Sequence, residues 1–102
     1  MIFACCIGLE SLDRLAILKK HGYAAYETGF SALTNAPEEK IAALAEKARE
    51  LGMTCVSHNG MFPSDIPLLG GREIYSRVED YLERTIEKAR PLGSPTIVLG
   101  SG

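Results

Sequence analysis

The stretch Arg49-Glu50-Leu51-Gly52-Met53-Thr54-Cys55-Val56 holds a helix end, a stop and a strand start in immediate succession. A cation in the last helical turn complements the negative end of the helix dipole, and a glycine just past the helix takes the left-handed conformation without a side-chain clash. The same punctuation occurs twice more, as Lys19-Lys20-His21-Gly22 before Tyr23-Ala24-Ala25-Tyr26 and as Arg90-Pro91-Leu92-Gly93 before Ser94-Pro95-Thr96-Ile97-Val98-Leu99. Helix, stop and strand therefore recur three times.

The helices upstream of each stop are visible by period. Ser11 is placed to cap the first, whose apolar stripe is Leu12, Leu15, Ala16 and Leu18; Pro37 starts the second, with Glu38 and Glu39 in its first turn and Ile41, Leu44, Ala45, Ala48 and Leu51 on one face. In the third, Ile74, Val78, Tyr81, Leu82, Ile86 and Ala89 recur at helical spacing, and the pairs Glu73 with Arg77 and Asp80 with Arg84 mark a solvated face. Pro91 lacks a backbone donor, so it disturbs the last turn of that helix. His21, beside Gly22, reads as a partner for the helix dipole.

The strand-like runs near residues 2–7, 23–28, 53–58 and 95–100 are mostly apolar without alternation, as in a parallel sheet covered by helices. The expected architecture is α/β, a single domain over residues 1–102 with four parallel strands and three helices in strict alternation. Two connections exceed what packing needs, Gly29 to Ala36 and Asn59 to Gly71. Both follow the carboxyl ends of strands, where parallel α/β folds place their ligand sites.

Composition excludes several classes. With 46% hydrophobic and 24% charged residues, the 102-residue chain is neither disordered nor fibrous. Eleven Lys+Arg against 13 Asp+Glu, interspersed, leave a charge of -2 and no basic face for nucleic acid or an anionic membrane. The longest apolar stretch, Met1 to Leu9, falls short of the about 20 residues of a membrane span and lacks the basic start of a secretory signal, which makes a cytoplasmic location the default expectation. Cys5, Cys6 and Cys55 form neither a disulfide framework nor a CxxC motif, and all three are expected as buried thiols.

Three segments, Tyr26-Glu27-Thr28-Gly29-Phe30-Ser31-Ala32-Leu33, Ser57-His58-Asn59-Gly60-Met61-Phe62-Pro63-Ser64-Asp65 and Ile97-Val98-Leu99-Gly100-Ser101-Gly102, resemble in order and spacing the amino-terminal strands of the xylose isomerase-like TIM barrels. That family contains sugar (phosphate) isomerases and epimerases, with relatives among endonuclease IV-type repair enzymes. Because a complete barrel takes about 250 residues, the resemblance implies a partial, half TIM barrel corresponding to the amino-terminal half. It also implies a divalent metal (Mn, Mg, Zn or Co) and acid/base carboxylates on later strands, so this chain alone is expected to hold no metal and to catalyse nothing.

Glu27 ends an otherwise apolar strand, where a carboxylate is costly to bury unless something polar meets it. It reads as a contact to a sugar hydroxyl in the barrel mouth, or as a carboxylate paired with a nearby cation or left exposed. His58 and Asn59 end the third strand and are expected to project into the same mouth. Imidazole can ligate metal or shuttle protons, and an Asn amide both donates to and accepts from a polyol. His58 is also readable as a strand-end cap, and Asn59 as a turn residue. Ser101, between Gly100 and Gly102, is the fourth candidate substrate contact. Phe62, Pro63, Asp65 and Pro67 read equally as a lid or as cover for the end of the sheet. No nucleotide-binding glycine pattern is present.

The leading expectation is the amino-terminal part of a metal-dependent sugar (phosphate) isomerase or epimerase, binding a small sugar and pairing as a homodimer through its exposed sheet edges. The alternatives are a small non-enzymatic α/β module that binds a ligand or serves as structure, and an endonuclease IV-like repair enzyme, which the near-neutral charge disfavours.

Overall fold

The computed structural model describes residues 1–100, and Ser101 and Gly102 lie outside the described residues. The chain runs β1 (Ala4–Cys6), α1 (Leu12–Lys20), β2 (Ala25–Gly29), α2 (Phe30–Leu33), α3 (Glu38–Leu51), β3 (Thr54–Asn59) and α4 (Glu73–Ala89), then a 3-10 turn over Arg90–Leu92. β1, β2 and β3 lie side by side in that order, all parallel. Pro91 falls inside the 3-10 turn, so α4 stops at Ala89, before the missing donor is needed.

The three glycine stops form as their spacing predicts. Gly22, Gly52 and Gly93 have φ of 87°, 66° and 67°. Nothing lies within 4 Å of where a Cβ on Gly93 would stand, so Gly93→Ala tests the left-handed backbone alone. Its expected cost is about 1–2 kcal/mol. In a domain of this size that lowers the thermal midpoint by roughly 4–8 °C for each kcal/mol, as circular dichroism would show.

The expected fourth strand is not one. Residues near Ile97 make a single bridge to β3, in which His58 N–H donates to Thr96 O (2.9 Å) and Val98 N–H donates to His58 O (2.7 Å). Both neighbouring rungs are diverted. Gly60 turns out of the strand at φ 60°, and the Thr96 N–H goes instead to Ser94 Oγ at 3.4 Å. The sheet thus has three strands where four were expected.

The core lies between the sheet and the helices. Leu15 of α1, Phe30 and Leu33 of α2, Ile41, Leu44 and Ala48 of α3, and Tyr81 and Ala89 of α4 pack against Tyr26 and Cys55. Two features of this layer lie outside the apolar periodicity. α2 forms inside the Gly29 to Ala36 connection, and Thr85 is fully buried, donating to Tyr81 O (2.7 Å) and sharing a hydrogen bond with Thr34 Oγ1 (2.8 Å).

α4 pins both long connections. The Lys88 ammonium donates to Thr34 O (3.0 Å) and Ala36 O (2.8 Å), and the Tyr81 hydroxyl donates to Met61 O (2.5 Å). Phe62 packs its ring 5.7 Å from that of Tyr81, so the first part of the loop after β3 covers the end of the core. Leu68 and Leu69 further along are exposed.

Candidate functional site

Side chains along a strand alternate between faces, and in this sheet one face meets the helices while the other is open. Cys6, Glu27 and Ser57 stand in one row across β1, β2 and β3, and Gly29 stands opposite Asn59 one step further on. The Ser57 hydroxyl donates to Glu27 Oε1 at 2.5 Å, and the Asn59 amide donates from Nδ2 to Cys6 Sγ at 3.0 Å. A thiol, a carboxylate, a hydroxyl and an amide thereby gather at the carboxyl ends of three parallel strands. Ser57 is buried and Glu27 and Asn59 are half-buried, whereas Cys6 is exposed.

This row depends on an irregularity. Tyr26 pairs with Cys55 but Glu27 pairs with Ser57, so Val56 is an extra residue in β3 at a shift of register. Such a shift resets the alternation beyond it, and it is rare between parallel strands. Cys55 therefore faces the helices with Tyr26, while Ser57 and Asn59 face the open side with Glu27. Burial pushes the Cys55 thiol up to about 11, which leaves it protonated and inert at neutral pH.

The expectation that His58 and Asn59 share the mouth is not met, because adjacent strand residues point to opposite faces. His58 is 1% exposed and lies on the helix side, with its ring centroid 6.0 Å from that of Phe30. It lines a small groove of about 120 Å³ with Ile86, Ala89, Arg90, Ser94 and Ile97. Neither ring nitrogen has a hydrogen-bond partner among the described residues, nor does Thr28 Oγ1, the side chain of its register partner. Burial holds the His58 pKa below the ordinary imidazole value. Of the four sequence candidates, Glu27 and Asn59 come together, His58 is turned away, and Ser101 is outside the described residues.

The expectation of three buried thiols holds for Cys55 alone. Cys5 is half-buried and Cys6 exposed, because the short edge strand β1 has no neighbour on its outer side to cover it. The roles of Ser57 and Cys6 follow from the register shift and from strand order, neither of which is visible in local sequence.

No family model matches this sequence, and no curated protein does. The fold has a solved counterpart in a crystal structure of D-psicose 3-epimerase in the presence of D-fructose, which superposes at a TM-score of 0.77 with 14% identity over 95% of this chain. The fold is a partial TIM barrel. This partial barrel spans 36% of the length of that epimerase. Its open sheet face corresponds to the inner face of a barrel, and its row of polar side chains sits at the strand ends where barrel sites are built.

Among the described residues no three His, Cys, Asp or Glu side chains gather to hold an ion, and Glu27 is the one carboxylate in the row. No helix among the described residues is long and apolar enough to cross a membrane.

Proposed function

We propose that this chain is the substrate-orienting part of a sugar isomerase or epimerase barrel, with Glu27 and Asn59 taking neighbouring hydroxyls of a polyol. The observation that carries this is the convergence of a carboxylate and an amide on the open face at the strand ends. Glu27 Oε2 accepts a hydroxyl proton, while Asn59 offers a second N–H and its carbonyl oxygen; a hydroxyl both donates and accepts, so a vicinal diol meets all three. Proton abstraction beside a carbonyl, and any metal that polarises the sugar oxygens, belong in this proposal to other strands of the barrel. The 102 residues alone bind without turnover.

The local charge favours a neutral sugar over its phosphate at this end. The segments that follow the strands, residues 7–11, 30–37 and 60–71, contain no Lys or Arg but carry Glu10 and Asp65. A phosphate placed there would meet these carboxylates, while the cations that reach the same loops, Lys40 and Arg77, are already engaged by Glu10 and by Asp65 O.

D-fructose is the probe. Saturable shifts of the Asn59 side-chain amide in NMR titration are expected, weaker with fructose 6-phosphate. Glu27→Gln keeps one acceptor but loses the charge, and is expected to weaken binding about fivefold to tenfold, at most about 1.4 kcal/mol. No saturable shift, or unchanged affinity in Glu27→Gln, would sink the proposal.

The proposal includes pairing of two copies. The outer edge of β1 is unpaired, Ile2 and Phe3 beside it are exposed, and so are Val98 and Leu99 at the other edge. Unpaired apolar edges favour association. Sedimentation equilibrium over a wide concentration range is expected to give twice the chain mass, and a constant monomer mass would exclude pairing.

A further inference from the structure

We propose that Ser57 and Cys6 are positioning residues of this site, presetting one carboxylate oxygen and one amide to receive two adjacent hydroxyls of the same sugar. The inference rests on Glu27 and Asn59 being the sugar contacts. Ser57 is 7% exposed, and its hydroxyl lies 2.5 Å from Glu27 Oε1. A hydroxyl hydrogen-bonded to a carboxylate at that distance is a charge-assisted contact, and it occupies one of the two oxygens. Oε2 is then the oxygen left for a ligand, and its direction is set by a residue that is itself immobilised in β3.

Cys6 does the same for the amide. Free to turn about its last torsion, an Asn side chain presents either its oxygen or its nitrogen to a given point, so a site that reads a hydroxyl pattern needs the torsion held. The contact from Nδ2 to Cys6 Sγ, 3.0 Å across the sheet, holds it. The opposite corner, Oδ1, lies over Gly29, 3.8 Å from where a Cβ there would stand, so the absent side chain leaves room above the strand. Cys6 and Glu27 are register partners, which puts the thiol beside the carboxylate as well as under the amide.

The arrangement makes Cys6 a reporter. Of the three thiols it alone is exposed and on the ligand face; Cys5 is half-buried and Cys55 is buried. The full chain is alkylated with iodoacetamide and the three sites are followed separately by mass spectrometry, with and without saturating D-fructose. Cys6 is expected to react first and to slow at least threefold with the sugar, while Cys5 is unchanged. In parallel, Ser57→Ala is expected to weaken D-fructose at least threefold, with Ser57→Thr restoring the affinity. A merely structural hydroxyl would leave that affinity alone.

The outcomes separate the two levels of inference. If D-fructose shifts the Asn59 amide but neither protects Cys6 nor responds to Ser57→Ala, the positioning roles are overturned and the sugar contacts stand. If D-fructose causes no saturable shift and no protection, the sugar contacts fail, and the positioning roles fail with them.

Discussion

Phe30→Ala is expected to lower the unfolding free energy by about 3–5 kcal/mol, the usual cost of emptying a buried aromatic position. Phe30 is 0% exposed and begins α2 directly after Gly29. Its ring meets Tyr81 edge-on at 6.1 Å and lies 6.0 Å from the His58 ring, so one side chain joins the end of β2 to β3 and α4. Loss of those contacts cannot be absorbed by a neighbour, because Leu33 and Tyr81 are themselves buried. Against the roughly 5–15 kcal/mol that stabilises an ordinary domain, the loss takes about 30–50% at the middle of that range. Urea denaturation measures it; a change of under about 1 kcal/mol would mean that α2 is not part of the cooperative core.

Acidification is expected to destabilise the protein below the ordinary range of imidazole titration, and His58 is expected to be the cause. Burial lowers its pKa in the folded chain, so between that depressed value and the unfolded value of about 6.5 the unfolded chain binds a proton that the folded chain does not. Stability is therefore complete above about pH 6.5 and falls as pH drops through this window, with a slope approaching about 1.4 kcal/mol per pH unit for one proton. His58→Gln, which cannot titrate, is expected to flatten the profile between pH 7 and 5.5 relative to the parent chain. A parent profile that is already flat would remove His58 as the cause.

The three glycine stops were legible because each rests on a local constraint. A left-handed residue after a helix asks for glycine wherever it occurs, and Gly22, Gly52 and Gly93 all answer it. Much of each helix stripe was legible for the same reason, with Leu15, Ile41, Leu44, Tyr81 and Ala89 buried as their spacing implies, whereas Ala16 and Ile86 are exposed. What local pattern did not carry was pairing. The run at 95–100 has strand composition, yet whether it joins the sheet depends on where Gly60 turns and what takes the Thr96 N–H. The same holds for the candidate site. Glu27 and Asn59 were recognisable by position, but whether Asn59 shares the face of Glu27 depends on the register shift at Val56, as does the burial of His58. Thr85 was invisible because its burial is conditioned on Thr34, 51 residues away, whose hydroxyl completes its hydrogen bonding.

The extra residue in β3 makes the strand a matter of parity. Cys55 and Asn59 are four positions apart, an even number that in a regular strand returns a side chain to the same face, yet here one lies among the helices and the other on the open side. A related strand shorter by one residue, lacking the counterpart of Val56, would show the same two faces with an odd count and no irregularity. Deleting Val56, or inserting one more residue beside it, gives an odd count and should keep Asn59 on the open side, whereas a regular strand of the present length would trade Asn59 for His58.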